Sequence, residues 1–185
     1  MSPALSVTHL TADFENLELK MHQALSSSAY TQLVDLLSTE RDVYVVGNGG
    51  LHYVASHMAT DLSRLLGHLS VFSFDSVGFI TSNANDHGYE NIYTRWFETI
   101  GVSSRGNNPL IIGLSCSGSS TNIINAFNFA AKNNIDSFLI SGKVNRDIFV
   151  PQLCFECQHY HTVEALSLML FYHLVHSLGF ECPKI

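Results

Sequence analysis

The chain has 185 residues, the size of a single domain that can close one hydrophobic core without metals or disulfides. Its 9 Lys and Arg residues against 16 Asp and Glu residues give a formal charge of -7. Because this charge repels the phosphates of nucleic acids and anionic lipids, we expect neither a nucleic acid nor a membrane as a partner.

The composition also leads to predictions of the oligomeric state and of the cellular location. Only 14% of the residues are charged while 46% are hydrophobic, so we expect part of the surface to be buried in a homo-oligomer. No apolar run reaches the ~20 residues that span a bilayer, and residues 1–11 lack the pattern of a signal peptide. We therefore expect a cytoplasmic protein whose four cysteines stay reduced.

Two helices are predicted before the first strand. Apolar residues recur at helical spacing from residue 10 to residue 37, with a break at the serines of residues 26–28. We expect residues 1–40 to form a helical segment that packs on the rest of the chain or on a neighbouring subunit. Residues 41–185 are expected to form the main domain.

Strands and helices then alternate. Short β-rich or apolar runs predict five strands, at residues 42–46, 70–74, 109–114, 137–140 and 152–158. Apolar residues at helical spacing predict helices at residues 51–66, 89–100, 121–132 and 162–178. This alternation implies right-handed crossovers between parallel strands. We predict an α/β fold, a three-layer αβα sandwich with a doubly wound five-stranded parallel sheet in flavodoxin-like order.

Two polar turns follow predicted strands. Gly47-Asn48-Gly49-Gly50 follows the first strand, and Ser115-Cys116-Ser117-Gly118-Ser119-Ser120 follows the third. Ligands of doubly wound sheets bind beyond the carboxyl ends of the strands, so the two turns are expected to share one pocket. A glycine turn at a helix N-terminus can hold an anion with backbone N–H groups, although a plain tight turn is the alternative. The second turn has more serines than helix capping needs, and their hydroxyls suit a phosphate monoester.

Three ordered blocks of residues resemble the sugar isomerase (SIS) superfamily, in particular the phosphoheptose (sedoheptulose-7-phosphate) isomerases. The blocks are the glycine turn with His57 and Asp61, Ala84-Asn85-Asp86 with Tyr89-Glu90, and Leu114-Ser115-Cys116-Ser117-Gly118-Ser119-Ser120-Thr121-Asn122. The resemblance covers residues 43 to about 178. It implies an SIS domain, a homotetramer or dimer, and isomerisation of a seven-carbon or similar sugar phosphate between its aldose and ketose forms.

The resemblance also implies roles for individual residues. It implies sugar contacts from Asn48, Gly49, Gly50, Asn85 and Asp86, and phosphate contacts from Ser115, Cys116, Ser117 and Ser120. It implies catalytic positions at His57, Asp61, Glu164 and Tyr172, with Asp61 or Glu164 as the base. The one candidate cofactor is Zn²⁺, with His57, Asp61 and Glu164 as its ligands.

Several positions depart from the family pattern. The departures are Leu51 for serine, Cys116 for threonine, Asp61 for glutamate, Glu164 for glutamine, and Tyr172 for a catalytic, metal-binding histidine. Two alternatives to a phosphoheptose isomerase therefore stay open. One is a noncatalytic SIS module that binds a sugar phosphate to regulate or scaffold another protein, and the other is an isomerase of a different phosphosugar.

Other candidate groups are given structural interpretations. Cys154 and Cys157 form a Cys-x-x-Cys pair, but in a strand they point to opposite faces, so we expect no metal there. His159 and His161 could change this interpretation if the strand ends early, but they are interpreted as polar residues that lead into the last helix. His173 lies about half a turn from Glu164 around that helix, so it is expected to pack rather than to replace Tyr172.

Overall fold

The computed structural model describes residues 16–104 and 107–184. Within them, five strands form one sheet: β1 (Arg41–Gly47), β2 (Leu69–Ser73), β3 (Leu110–Ser115), β4 (Asp136–Ser141) and β5 (Gln152–Cys154). All neighbouring strands are parallel, and their order is β2-β1-β3-β4-β5. The predicted α/β class and flavodoxin-like strand order are confirmed.

Seven α-helices lie in the described part of the chain. They are α1 (Leu17–Leu25), α2 (Ser28–Leu37), α3 (Gly50–Leu65), α4 (Val77–His87), α5 (Ile92–Ile100), α6 (Thr121–Lys132) and α7 (Tyr160–Ser177). A short 3₁₀ turn, Tyr89–Asn91, precedes α5. The start of the predicted first helix, before residue 16, lies outside the described residues. Within these ranges no helix is long and apolar enough to cross a bilayer.

Two buried clusters lie on opposite faces of the sheet. One joins the sheet to α1, α2, α3 and α7, and includes Leu33, Met58 and Leu170. The other joins it to α5 and α6, and includes Phe97 and Phe127. Strands buried on both faces need apolar residues throughout, which explains why every residue of β3 is buried. The predicted three-layer sandwich is confirmed.

The register of β1 and β3 positions the site. Gly47, the last residue of β1, pairs with Leu114 near the end of β3. Because the strands are parallel neighbours, the glycine turn and the serine turn leave the same edge of the sheet side by side. Helix α3 starts at Gly50, the last residue of the first turn, and α6 starts directly after the second turn.

Two local predictions differ from the structure. The fifth strand ends at Cys154 rather than at residue 158, because Glu156 takes a left-handed backbone conformation with φ of 53°. Helix α4 was not predicted, since it buries none of its side chains and so shows no apolar stripe. Ser76 marks its start, because its hydroxyl accepts a hydrogen bond from the Phe79 amide at 3.4 Å.

Candidate functional site

A cavity of about 400 Å³ lies beyond the carboxyl ends of β1 and β3. It is lined by Asn48, Gly49, Gly50, Leu51, Leu114, Ser115, Cys116, Ser117, Ser120, Tyr160 and Glu164. The structure thus brings both predicted turns together with Glu164 from α7. No role was predicted for Tyr160, which begins α7 beside the serine turn.

The Glu164 carboxylate, which comes from α7, lies beside the glycine turn at the start of α3. Gly49 has φ of 58°, a conformation that glycine adopts without strain, and α3 begins at Gly50. A Cβ added at Gly50 would lie 2.5 Å from Oε2 of Glu164, and closer still to its Oε1. The carboxylate therefore lies against the N-terminus of α3, where the partial positive charge of the helix favours an anion.

A partly buried hydrogen-bond network fixes Asn48. Its Nδ2 donates to Oδ1 of Asn122 at 2.9 Å, and its Oδ1 accepts from Nδ2 of Asn122 at 2.8 Å. The Tyr89 hydroxyl also donates to Oδ1 of Asn48 at 3.0 Å, and the Tyr93 hydroxyl donates to the carbonyl of Gly47. Burial raises the pKa of Tyr93, which keeps its donating proton in place. Asn122 and Tyr93 were missed as site residues, because only the fold shows that they reach the glycine turn.

The serine turn is organised by its own hydroxyls. The hydroxyls of Ser115 and Ser120 lie 3.0 Å apart, and Oγ of Ser117 accepts from the amide of Ser119 at 3.2 Å. Helix α6 begins directly after Ser120, so the N–H groups at its N-terminus and its dipole favour an anion there. Burial, and then the negative charge of Glu164, raise the pKa of the Cys116 thiol to about 11. Cys116 therefore remains a neutral thiol beside the turn at physiological pH.

Three other predicted catalytic residues form a separate polar cluster between α3 and α7. The Tyr172 hydroxyl donates to Oδ2 of Asp61 at 2.8 Å and lies 3.1 Å from Nε2 of His57. Nη2 of Arg64 donates to Oδ1 of Asp61 at 3.1 Å. Burial and the contact with Asp61 raise the pKa of Tyr172 to about 12. None of these four residues lines the cavity described above.

The predicted zinc ligands are not gathered, which corrects that part of the sequence analysis. Glu164 contacts Gly50, whereas His57 lies seven residues further along α3, a distance of about 10 Å at the ~1.5 Å rise of a helix. Within residues 16–104 and 107–184, no three His, Cys, Asp or Glu side chains are close enough together to hold a metal. The residues present therefore do not fit a Zn²⁺ ion.

Asn85 and Asp86 lie apart from the cavity. Both are exposed on α4, where Nδ2 of Asn85 donates to Oδ1 of Asp86 at 2.8 Å. Neither residue lines the cavity, and the sugar contacts expected of them stay a prediction. His173 is half-buried on α7, as expected for a packed residue.

Comparison with known proteins places the chain in a class and a family. No protein-family model matches the chain. A solved phosphoheptose isomerase from Neisseria gonorrhoeae superimposes with a TM-score of 0.79, 16% identity, and coverage of 93% of this chain and 95% of that one. The fold is therefore that of an SIS domain.

Sequence similarity identifies the family. A phosphoheptose isomerase of Leptospira biflexa is 32% identical over 136 residues, which cover 64% of this chain and 67% of that protein. One from Helicobacter pylori is 30% identical over 128 residues, 66% of this chain and 64% of that protein. The chain belongs to the phosphoheptose isomerase family. Its match spans less than two thirds of the Helicobacter pylori relatives, at 64% and 58% of their lengths.

Proposed function

We propose that the chain is an aldose–ketose isomerase of a sugar phosphate and that sedoheptulose 7-phosphate is its substrate. The observation that carries this proposal is the Glu164 carboxylate in the cavity that the serine turn also lines. Isomerisation needs a base beside a carbon acid and a fixed position for the rest of the sugar. In this cavity, Glu164 is the candidate base, and the serine turn is the candidate site that holds the rest of the sugar phosphate.

The two turns favour one orientation of the substrate in the cavity. Glu164 lies against the N-terminus of α3, so a phosphate at that turn would meet a like charge. The serine turn offers hydroxyls and the N-terminus of α6, and is the better position for the phosphate. The carbonyl end of the sugar then lies toward the glycine turn and Glu164.

Glu164 is assigned as the base. Its carboxylate takes the proton from the carbon next to the carbonyl, which gives an enediol, and the resulting acid returns a proton to the former carbonyl carbon. A second proton passes between the two oxygens of the enediol. Asp61 is less suited, because its carboxylate already accepts hydrogen bonds from Arg64 and Tyr172 outside the cavity.

A homo-oligomer is part of the proposal. Tyr53 and Val77 expose 76% and 72% of their surface on the helices next to the glycine turn, a feature that favours an interface. Light scattering on the purified protein tests this point, with the mass of a dimer or a tetramer as the expected result. The mass of a single chain would contradict it.

A noncatalytic sugar-phosphate-binding module is the second candidate. It is favoured by the Tyr172 hydroxyl, which engages both His57 and Asp61 and so withdraws three predicted catalytic residues from the cavity. In this case the two turns would bind the sugar phosphate, and no proton would be exchanged.

An NMR time course in deuterated buffer tests both candidates. Wild-type protein with sedoheptulose 7-phosphate is expected to give an aldose product and deuterium at the carbon next to the carbonyl. Glu164→Gln should bind the sugar phosphate but lower the exchange rate by about 10²-fold or more, as loss of a general base does. The matched control is Glu40→Gln, at an exposed glutamate before β1. Tight binding without exchange in the wild type would favour the module.

A further inference from the structure

We infer that the Tyr172 hydroxyl replaces a divalent cation between His57 and Asp61, which makes this chain a metal-independent member of its family. His57 and Asp61 lie one turn apart on α3, and Tyr172 reaches them from α7. The hydroxyl lies 3.1 Å from Nε2 of His57 and 2.8 Å from Oδ2 of Asp61. Those two side-chain atoms are 3.7 Å from each other, so the hydroxyl bridges them.

The direction of the hydrogen bonds opposes metal binding. The Tyr172 hydroxyl donates its proton to Asp61, so toward His57 it offers a lone pair. This arrangement favours the His57 tautomer in which Nε2 carries the proton and donates it to the hydroxyl oxygen. A metal ligand needs the opposite state of this nitrogen, with its lone pair free. The bridge therefore favours the His57 tautomer that cannot coordinate through Nε2.

Asp61 is also committed to other partners. Its Oδ2 accepts from Tyr172, and its Oδ1 accepts from Nη2 of Arg64 at 3.1 Å. A divalent cation at this carboxylate would have to share it with these two donors and approach the positive charge of the guanidinium. Only 14% of the Asp61 side chain is exposed, whereas 63% of the Arg64 side chain is, so solvent partly screens that repulsion.

Among the described residues, the cluster also lacks a third ligand. Protein zinc sites use three or four protein ligands at about 2.0–2.3 Å. His57 and Asp61 supply two, while the nearest predicted third ligand, Glu164, lies about two helical turns away at Gly50. A neutral tyrosine hydroxyl satisfies both polar groups without any ion.

Metal analysis tests the inference without a substrate, so its outcome is independent of the isomerase proposal. Full-length wild type, Tyr172→His and Met169→His are exposed to excess Zn²⁺, dialysed, and analysed for zinc by elemental mass spectrometry. Met169→His is the matched control, because it adds a histidine to an exposed position of the same helix. We expect no His57-dependent zinc in the wild type, and about one retained Zn²⁺ per chain in Tyr172→His, whose ligands would number three.

The controls make each result decisive. The zinc gained by Tyr172→His should disappear when His57→Ala is added, and Met169→His should gain none. Zinc retained by the wild type and lost in His57→Ala would overturn the inference. A Tyr172→His protein that shows the wild-type circular dichroism spectrum but takes up no zinc would contradict the claim that the hydroxyl occupies the position of a cation. If that variant does not fold, the wild-type result alone decides.

Discussion

Replacing Gly50 with alanine is expected to displace the Glu164 carboxylate while leaving the fold intact. The added Cβ would lie 2.5 Å from Oε2 of Glu164, and closer to Oε1. An ordinary contact requires about 3.5 Å, so the carboxylate must retreat by about 1 Å or more. Because it is the end of a flexible side chain, it can swing away without moving the backbone.

The expected effects on stability and activity have opposite signs. An alanine in place of a helical glycine stabilises by roughly 0.5–1 kcal/mol, which offsets the cost of moving the side chain. The melting temperature of Gly50→Ala should therefore stay at or above that of the wild type. A catalytic group misplaced by about 1 Å costs about 10²-fold in rate, so deuterium exchange into the substrate should fall by about that factor.

The matched control is Gly78→Ala, a glycine in the first turn of α4 where an added Cβ meets no atom of the described residues within 4 Å. This control should gain helix stability and keep full activity. Thermal unfolding and the NMR exchange assay are measured on all three proteins. If a folded Gly50→Ala protein exchanges deuterium at the wild-type rate, the position of the Glu164 carboxylate does not matter for catalysis. If that variant does not fold, the claim that the carboxylate can swing away from the added Cβ is wrong.

Three further substitutions or measurements test the core and the site. Gly113→Ala should lower the free energy of unfolding in urea by about 1–3 kcal/mol, because a Cβ there lies 2.5 Å from Cζ of the buried Phe127; no loss would contradict the packing of β3 on α6. Tyr172→Phe should lower that free energy by about 0.5–1.5 kcal/mol per lost hydrogen bond, and an unchanged value would argue against the bridge. At pH 8, alkylation of Cys116, followed by peptide mass spectrometry, should be slow because its pKa is about 11. Glu164→Gln removes one cause of that raised pKa and should therefore speed the alkylation of Cys116. An unchanged rate would contradict the effect of the Glu164 charge on the Cys116 thiol.

The sequence alone was sufficient to predict the architecture and to predict that the two turns lie side by side. Alternating strands and helices allow few topologies, and the order of the sheet makes β1 and β3 neighbours. Adjacent parallel strands then bring the residues after Gly47 and after Ser115 to one edge. This is why the cavity contains most of the residues that the resemblance implied for the sugar and the phosphate.

Contacts between distant helices could not be predicted in the same way. The pairing of Asn48 with Asn122 joins residues 74 positions apart, and it depends on how α6 packs on the sheet. The bridge from Tyr172 to Asp61 joins residues 111 positions apart and depends on how α7 crosses α3. Spacing along one helix places His57 and Asp61 on a common face but does not show which side chain fills the space between them.

A crystal structure of the protein with a bound sugar phosphate tests the central claim most directly. We predict that the phosphate lies at the serine turn, within hydrogen-bond distance of the Ser117 hydroxyl and of the first-turn amides of α6. We also predict that the carbonyl carbon and its neighbour lie beside the Glu164 carboxylate. A phosphate bound at the glycine turn, or a sugar whose reacting carbons lie away from Glu164, would contradict this claim.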